Sequence, residues 1–271
     1  MSAPTSATGF GGSVPQIYHT LLEPLIFEAY ARDIAARLAV TGPARVLELA
    51  CGTGIVTQKL ASLLPGGVTL LASDLNPGML QVARDRLAGA KNVEFQVIDG
   101  CSLPLPDGAF DAVVCQYGVM FFPDKVAAMG EARRVLKPGG KYVFNVWDAL
   151  ERNPMPEVAD AVLAGLFPDN PPKFLRHGPY GWNDKGEIER VVRAGGFANV
   201  RIDTVAFPTE APSAAQAAEA FVDGTPLRPA LTDRGVLDTS DVRGRVAAAL
   251  ADRFGDRPCR STMSALVVTA S

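Results

Sequence analysis

No two of the four cysteines in this 271-residue chain stand in CxxC spacing, which argues against a zinc site and against the disulfide framework of a small secreted protein. A surplus of positive charge is also missing. The net charge of -3 and pI near 5.5 leave no electrostatic footprint for nucleic acid or an anionic membrane. Nor is there an apolar run of about 18 residues, the length a bilayer-spanning helix needs. Residues 1–14 are rich in Ser, Gly and Thr and lack the charged end and apolar stretch of a signal peptide, so they read as a flexible tail. These absences point to a cytoplasmic protein with no nucleic-acid partner, no membrane span and no bound metal. What is present is apolar: 48% hydrophobic residues suffice for a substantial core in one large domain or a domain with an elaborated insert.

The most informative stretch is Arg-Val-Leu-Glu-Leu-Ala-Cys-Gly-Thr-Gly at residues 45–54. Val46, Leu47, Leu49 and Ala50 make an apolar run with little polar relief, as in a parallel strand buried on both faces. Gly52 and Gly54 then permit a tight turn and a close backbone approach to a ligand, and residues 55–64 continue as an amphipathic helix. A dinucleotide site wants G-x-G-x-x-G with an acid about 20 residues on. Asp74 fits the acid, but Thr57 stands where the third glycine should be. Glu48 would sit awkwardly beside a pyrophosphate and would suit a ligand carrying an ammonium or sulfonium charge.

Further along, residues 15–40 carry apolar side chains at helical spacing (Leu21, Leu22, Leu25, Ile26, Tyr30, Ile34, Leu38) and read as N-terminal cap helices, with Tyr18 and His19 placed to border a site if this segment closes over it. A second strand, residues 68–73, ends at Asp74, where an acid can accept both hydroxyls of a ribose. Asn76 and Pro77 open the next helix by cap and N1 preferences, with Met79 on its first turn. A third strand, residues 93–98, ends in Asp99, Gly100 and Cys101. A fourth covers residues 111–116. A helix over residues 125–136 stops at Lys137-Pro138-Gly139-Gly140 and turns into a fifth strand, residues 141–147. Strands alternating with helices predict a doubly wound α/β (Rossmann-like) sheet with ligands outside the carboxyl ends of its strands.

These residues resemble the class I S-adenosylmethionine (SAM) dependent methyltransferases, in particular the branch similar to ubiquinone and menaquinone biosynthesis C-methyltransferases. The resemblance rests on Glu48-Leu49-Ala50-Cys51-Gly52-Thr53-Gly54, Asp74-Leu75-Asn76-Pro77-Gly78-Met79-Leu80, Asp99-Gly100-Cys101 and Arg134-Val135-Leu136-Lys137-Pro138-Gly139-Gly140, four motifs in the family's order. It implies a seven-stranded sheet whose last strand is antiparallel, with helical lid insertions. It implies SAM as cofactor, with S-adenosylhomocysteine as product. Gly52 and Gly54, with Glu48 and Ala50 in the same motif, would face the methionine part and Asp74 the ribose. Leu75 and Met79 would lie in the ribose and adenine segment, and Asp99, Gly100 and Cys101 at the adenine edge. Gln116 would lie beside the methionine moiety, and Tyr18 near the cofactor. The domain would cover residues 41–271, with lid segments at 150–182 and 210–256.

The chemistry of a sulfonium donor asks for alignment and exclusion of water more than for a catalytic constellation. His19, His177, Tyr117 and Tyr180 are the candidates for a base toward a phenol or carbon acid; no spacing singles one out, and His19 is named because its segment would border the site. The expected function is methyl transfer to a small apolar or aromatic acceptor molecule, by an enzyme that could form a homodimer. The alternatives are an NAD-dependent oxidoreductase, disfavoured by Thr57 and Asp99, and a non-catalytic module binding SAM or S-adenosylhomocysteine. Cys51, Cys101 and Cys115 near strand ends read as small packing groups around a cofactor. Asp169-Asn170-Pro171-Pro172 resembles an adenine-gripping N-P-P turn but is misplaced for one, and reads as an ordinary loop. Acceptor choice is expected in residues 15–38, 154–182 and 213–254, with Thr225-Pro226-Leu227 a turn between two late helices.

Overall fold

The structure, a computed structural model, describes residues 14–271. The tail expected at residues 1–13 lies outside them, while Val14, expected as its last residue, begins a short helix, α1 (Val14–Ile17). The helix continues unbroken through π-helical turns, Tyr18–Phe27, into α2 (Glu28–Ala39). Pro24 lies inside the wide turns. Its missing N–H and its ring would break an α-helical hydrogen bond and crowd the carbonyl four residues back, and a widened turn accommodates both.

After α2 the strands and helices alternate as the apolar runs predict: β1 (Arg45–Glu48), α3 (Ile55–Leu63), β2 (Thr69–Asp74), α4 (Pro77–Arg86), β3 (Val93–Val97), β4 (Phe110–Gln116), α5 (Lys125–Val135) and β5 (Leu136–Trp147). Then come α6 (Pro154–Leu166), α7 (Phe174–His177), α8 (Lys185–Ala194), β6 (Val200–Ala211), α9 (Ala214–Asp223), α10 (Leu227–Thr232), α11 (Ser240–Phe254) and β7 (Cys259–Ala270). Caps match their residues. Asn76 Oδ1 accepts from the N–H groups of Gly78 and Met79 at the start of α4, and Asp124, Asp184 and Ser213 cap α5, α8 and α9 in the same way.

The seven strands form one sheet in the order β3-β2-β1-β4-β5-β7-β6. Strands β1 to β5 pair in parallel, and β7 runs antiparallel to β5. This is the doubly wound, Rossmann-like sheet with an antiparallel last strand. The chain leaves β1 outward through β2 and β3 and returns to start again at β4, so the order reverses between β1 and β4. Ligands of open α/β sheets bind outside the carboxyl ends of strands at such a reversal.

Two compact units share the chain. The sheet unit takes Ala29–Trp147, Trp182–Val205 and Ala265–Ser271, and the helical unit takes residues 14–28, Asp148–Gly181 and Ala206–Ser264. In the sheet unit the core is aliphatic along β1, β2 and β4 and aromatic along β5, where Tyr142, Phe144 and Trp147 are buried. In the helical unit Asp223 is buried and accepts from Arg228 Nη1 (2.8 Å) and Thr239 Oγ1 (2.8 Å), with Arg243 Nη1 at 3.2 Å from its other oxygen.

Some local expectations shift. The fifth strand begins at Leu136 instead of 141, because β4 pairs Phe110 with Leu136 and Ala112 with Lys141; the residues between bulge out. Lys137 Nζ closes the bulge on Asp111 Oδ1 (2.7 Å). Leu227 is not in a turn between two helices. It opens α10 and is 1% exposed, after Thr225 Oγ1 accepts its N–H. The loop with Asn170, Pro171 and Pro172 belongs to the helical unit, where Arg234 Nε donates to the Asn170 carbonyl (2.8 Å).

Candidate active site

Leu47 and its neighbours end β1 at Glu48, and the chain then turns through Ala50, which adopts a left-handed backbone (φ 51°). The Cys51 N–H donates to the Ser73 carbonyl (2.8 Å), and Ser73 Oγ donates to the Glu48 carbonyl (2.8 Å). These bonds tie the end of β1 to the end of β2. Asp74 completes the tie: its Oδ2 accepts from the Gly52 N–H and its Oδ1 from the Asn76 N–H, both at 2.8 Å. Burial pushes the Asp74 carboxyl up, and the N–H bonds from Asn76 and Gly52 oppose that.

Gly54 caps α3 with φ 82°, and a Cβ there would meet the Ala83 Cβ at 3.0 Å and Leu87 at 3.2 Å. So α4 packs directly over the turn. Glu48 lies under it, 3% exposed, with Oε2 accepting from the Thr57 hydroxyl (2.6 Å). Burial pushes its carboxyl up to about 8, against the Thr57 bond, with the Asp74 charge adding to the rise. Thr57, which breaks the dinucleotide glycine pattern, is the donor Glu48 requires.

On the other side of the reversal, β4 ends at Gln116, and Tyr117 also takes a left-handed backbone (φ 53°). The Tyr117 N–H donates to Asn145 of β5, at Oδ1 (3.0 Å) and at the carbonyl (3.2 Å). Its ring stacks on Trp147 with centroids 3.9 Å apart, and Tyr30 meets both rings edge-on. A Cβ on Gly118 would stand 2.5 Å from the Ala50 Cβ and 2.7 Å from Cys115 Sγ, so the ends of β1 and β4 approach as closely as glycine permits. Two non-glycine residues in left-handed conformation at adjoining strand ends are the kind of strain that clusters at functional sites. Gln116 Oε1 and Asn145 Nδ2 are buried without a hydrogen-bond partner among the described residues, a cost of about 1–3 kcal/mol each unless something occupies them.

Of the residues singled out in the sequence, Glu48, Ala50, Gly52, Gly54 and Asp74 come together at the turn, and Gln116 lies across the reversal. Asp99 is exposed after β3; its Oδ1 takes the Cys101 N–H (2.9 Å), so that N–H is already engaged. Gly100 lies under the Phe122 ring. Leu75 is 48% exposed beside Asp74, whereas Met79 is buried. Tyr18 and His19 belong to the helical unit. There Tyr18 stacks on Phe27 at 5.0 Å, and His19 Nδ1 lies 3.1 Å from Oε2 of the buried Glu23. Among the described residues no group of three or more His, Cys, Asp or Glu side chains is placed to hold a metal. Burial pushes the Cys115 thiol up to about 12 and the Cys51 thiol well above its ordinary value, which disfavours the thiolates that metal or redox chemistry needs.

Known proteins match this arrangement. A family profile described as a methyltransferase domain matches residues 47–144. The demethylmenaquinone methyltransferase of Thermus thermophilus is 42% identical over 139 residues, 51% of this chain and 59% of that protein. That of Corynebacterium urealyticum is 33% identical over 178 residues, 60% of this chain and 72% of that protein. The chain belongs to the class I SAM-dependent methyltransferases, in the branch of the ubiquinone and menaquinone C-methyltransferases. It spans from about half to two thirds of the length of most of the curated relatives it matches. The fold agrees with the phosphoethanolamine N-methyltransferase 2 of Haemonchus contortus solved with S-adenosyl-L-methionine. That match has a TM-score of 0.59 at 17% identity, over 96% of this chain and 56% of that one.

The strand ends of this chain fit the family's cofactor. A Cβ on Gly52 would enter open space, leaving room in front of the turn. Asp74 retains further lone pairs for hydroxyl donors after accepting two N–H groups, Glu48 supplies a carboxyl, and Gln116 Oε1 an unused acceptor. Sequence reasoning missed what Thr57, Ser73 and Asn145 hold in place. Of these only Asn145 carries a signal, as the lone polar side chain in the run Tyr142–Trp147.

Proposed function

We propose that the chain transfers a methyl group from SAM to a small, uncharged aromatic acceptor, at a ring carbon. The observation that carries this reading is the joined turn of β1 and β2, in which Asp74 holds Gly52 and the buried Glu48 is held by Thr57. The cofactor, when bound, supplies an electrophilic methyl on a sulfonium. In this proposal Asp74 receives the ribose hydroxyls, with Leu75 and Met79 beside the ribose and adenine segment. Asp99, Gly100 and Cys101 border the adenine edge, and Gly52, Gly54, Ala50, Glu48 and Gln116 the methionine end. The ring-carbon assignment draws support from relatives named for ubiquinone and menaquinone C-methylation. Neither the comparisons nor the site favours a nicotinamide cofactor.

In this reading His19 is the base that removes the acceptor's hydroxyl proton. Glu23, whose Oε2 lies 3.1 Å from Nδ1, would orient the ring and stabilise its protonated form. His19→Gln should lower kcat by about a hundredfold or more while leaving SAM affinity unchanged; unchanged turnover would remove His19 from the chemistry. Residues 15–38, with Tyr18 near the cofactor, and residues 154–182 and 213–254 select the acceptor in this reading. Hydrogen exchange should then show new protection in residues 15–38, 154–182 or 213–254 on adding acceptor to the SAM-loaded protein, and protection confined to the rest of the chain would refute it.

Titration calorimetry with SAM, S-adenosylhomocysteine and NADH, followed by turnover against phenols, quinols and fatty acids, tests the function itself. Binding of the first two and turnover of a phenol or quinol are expected. Binding of NADH alone would overturn the reading, and SAM binding without turnover of any acceptor would leave a binding module.

A further inference from the structure

We propose that Asn145 joins Gln116 in recognising the amino-acid end of the methyl donor, its Nδ2 donating to the carboxylate while Gln116 Oε1 accepts from the ammonium. This rests on the methyltransferase reading above and adds to it a residue from the interior of β5.

Gln116 and Asn145 are Cα partners in the parallel pair β4 and β5, so their side chains leave the sheet on one face. Glu48 shares that face, because it pairs with Val114, two residues before Gln116. Asn145 is fully buried in a strand stretch, residues 142–147, whose other side chains are apolar or aromatic, where packing alone would favour an apolar side chain. Its orientation is fixed by chemistry. The Tyr117 N–H can only donate, so the atom it meets at 3.0 Å is the amide oxygen, and the nitrogen is the atom left over.

That nitrogen has no partner among the described residues, and neither has Gln116 Oε1. The two therefore do not satisfy each other, although they stand on paired positions. One buried donor and one buried acceptor, side by side at the reversal between β1 and β4, complement a zwitterion. An α-amino acid offers one acceptor group, the carboxylate, and one donor group, the ammonium. The left-handed Tyr117 and the close approach of Gly118 to Ala50 hold the end of β4 beside the turn that the rest of the cofactor would occupy. Asn145 thus has two tasks: its oxygen holds the Tyr117 backbone, and its nitrogen reads the ligand.

Paired titrations separate these tasks. S-adenosylhomocysteine carries the amino-acid end, whereas 5′-deoxy-5′-methylthioadenosine keeps the adenine, ribose and thioether without it. Asn145→Ser keeps a hydroxyl that can accept from Tyr117 N–H, and Gln116→Leu removes the acceptor at a half-buried position that tolerates an apolar side chain. Each should weaken S-adenosylhomocysteine about tenfold or more and leave methylthioadenosine within about twofold. Equal losses for both ligands would mean that Asn145 only supports the backbone, and an unchanged affinity for S-adenosylhomocysteine would mean that a buried water fills the gap; either overturns the proposal. If Asn145→Ser does not fold, Asn145→Asp, which keeps an oxygen for the Tyr117 N–H and removes the Nδ2 donor, decides the matter by the same two outcomes. Wild-type protein that binds neither ligand would overturn the methyltransferase reading, and this proposal with it.

Discussion

Glu48 holds its proton to about pH 8 when folded, whereas the unperturbed group releases it near 4.5. Between those values the folded state binds one more proton than the unfolded state, so stability falls as pH rises through that window. The magnitude is on the order of a few kcal/mol. Glu48→Gln keeps an oxygen for the Thr57 hydroxyl and removes the titration. Its melting temperature should therefore fall several degrees less than that of the wild type between about pH 5 and about pH 8.5; an unchanged fall would mean that Glu48 does not titrate in this window. Asp74 acts differently, since its carboxylate already orders Gly52 and Asn76. Asp74→Ala should weaken SAM at least about tenfold, roughly 1.4 kcal/mol, and lower the melting temperature as well. Calorimetry that finds SAM affinity intact would exclude Asp74 from the site.

At the level of elements, the glycine turn has two unequal positions. Gly54 has a left-handed backbone and α4 against it, whereas Gly52 has a left-handed backbone with open space in front. Gly52→Ala should therefore cost only the backbone strain, about 1–2 kcal/mol. Gly54→Ala should cost about 2–4 kcal/mol by adding overpacking against Ala83 and Leu87. Chemical denaturation of the two variants checks the order, and equal losses would mean that α4 moves aside. The turn itself was legible because Gly52, Gly54 and Asp74 obey spacing rules of short range. The bulge at Lys137–Gly140 and the early start of β5 were not, since Phe110 of β4 provides the partner that makes Leu136 a strand residue. Leu227 escaped for a related reason: Pro226 suggested a turn, but packing of its side chain in the helical unit turned the segment into α10.

For the whole molecule, the chain crosses between the sheet unit and the helical unit five times, and β6 and β7 contribute residues to both. Because these two strands are continuous across the division, neither unit can unfold without fraying a strand of the other, so one cooperative transition is expected on heating. Asp223→Ala removes the buried carboxylate that holds Thr239 and the partly exposed Arg228 and Arg243, a loss of about 1–3 kcal/mol. It should lower that single transition by roughly 2–10 °C. A separate early transition seen by calorimetry would show that the helical unit melts independently.

The succession of strands and helices along the chain, the turn after β1 and the placing of Glu48, Asp74 and Asp99 at strand ends were legible in the sequence alone, because apolar periodicity and glycine or proline punctuation act within a few residues. The tertiary structure decided which of those groups have partners. Thr57 reads as a broken glycine motif until α3 brings its hydroxyl to Glu48. Asn145 reads as an interruption of an apolar strand until β4 and β5 pair and place it under Tyr117 and beside Gln116. Hydrogen bonds across 9 and 28 residues of chain depend on packing that no local pattern encodes, and so does the burial that pushes Glu48 to about 8.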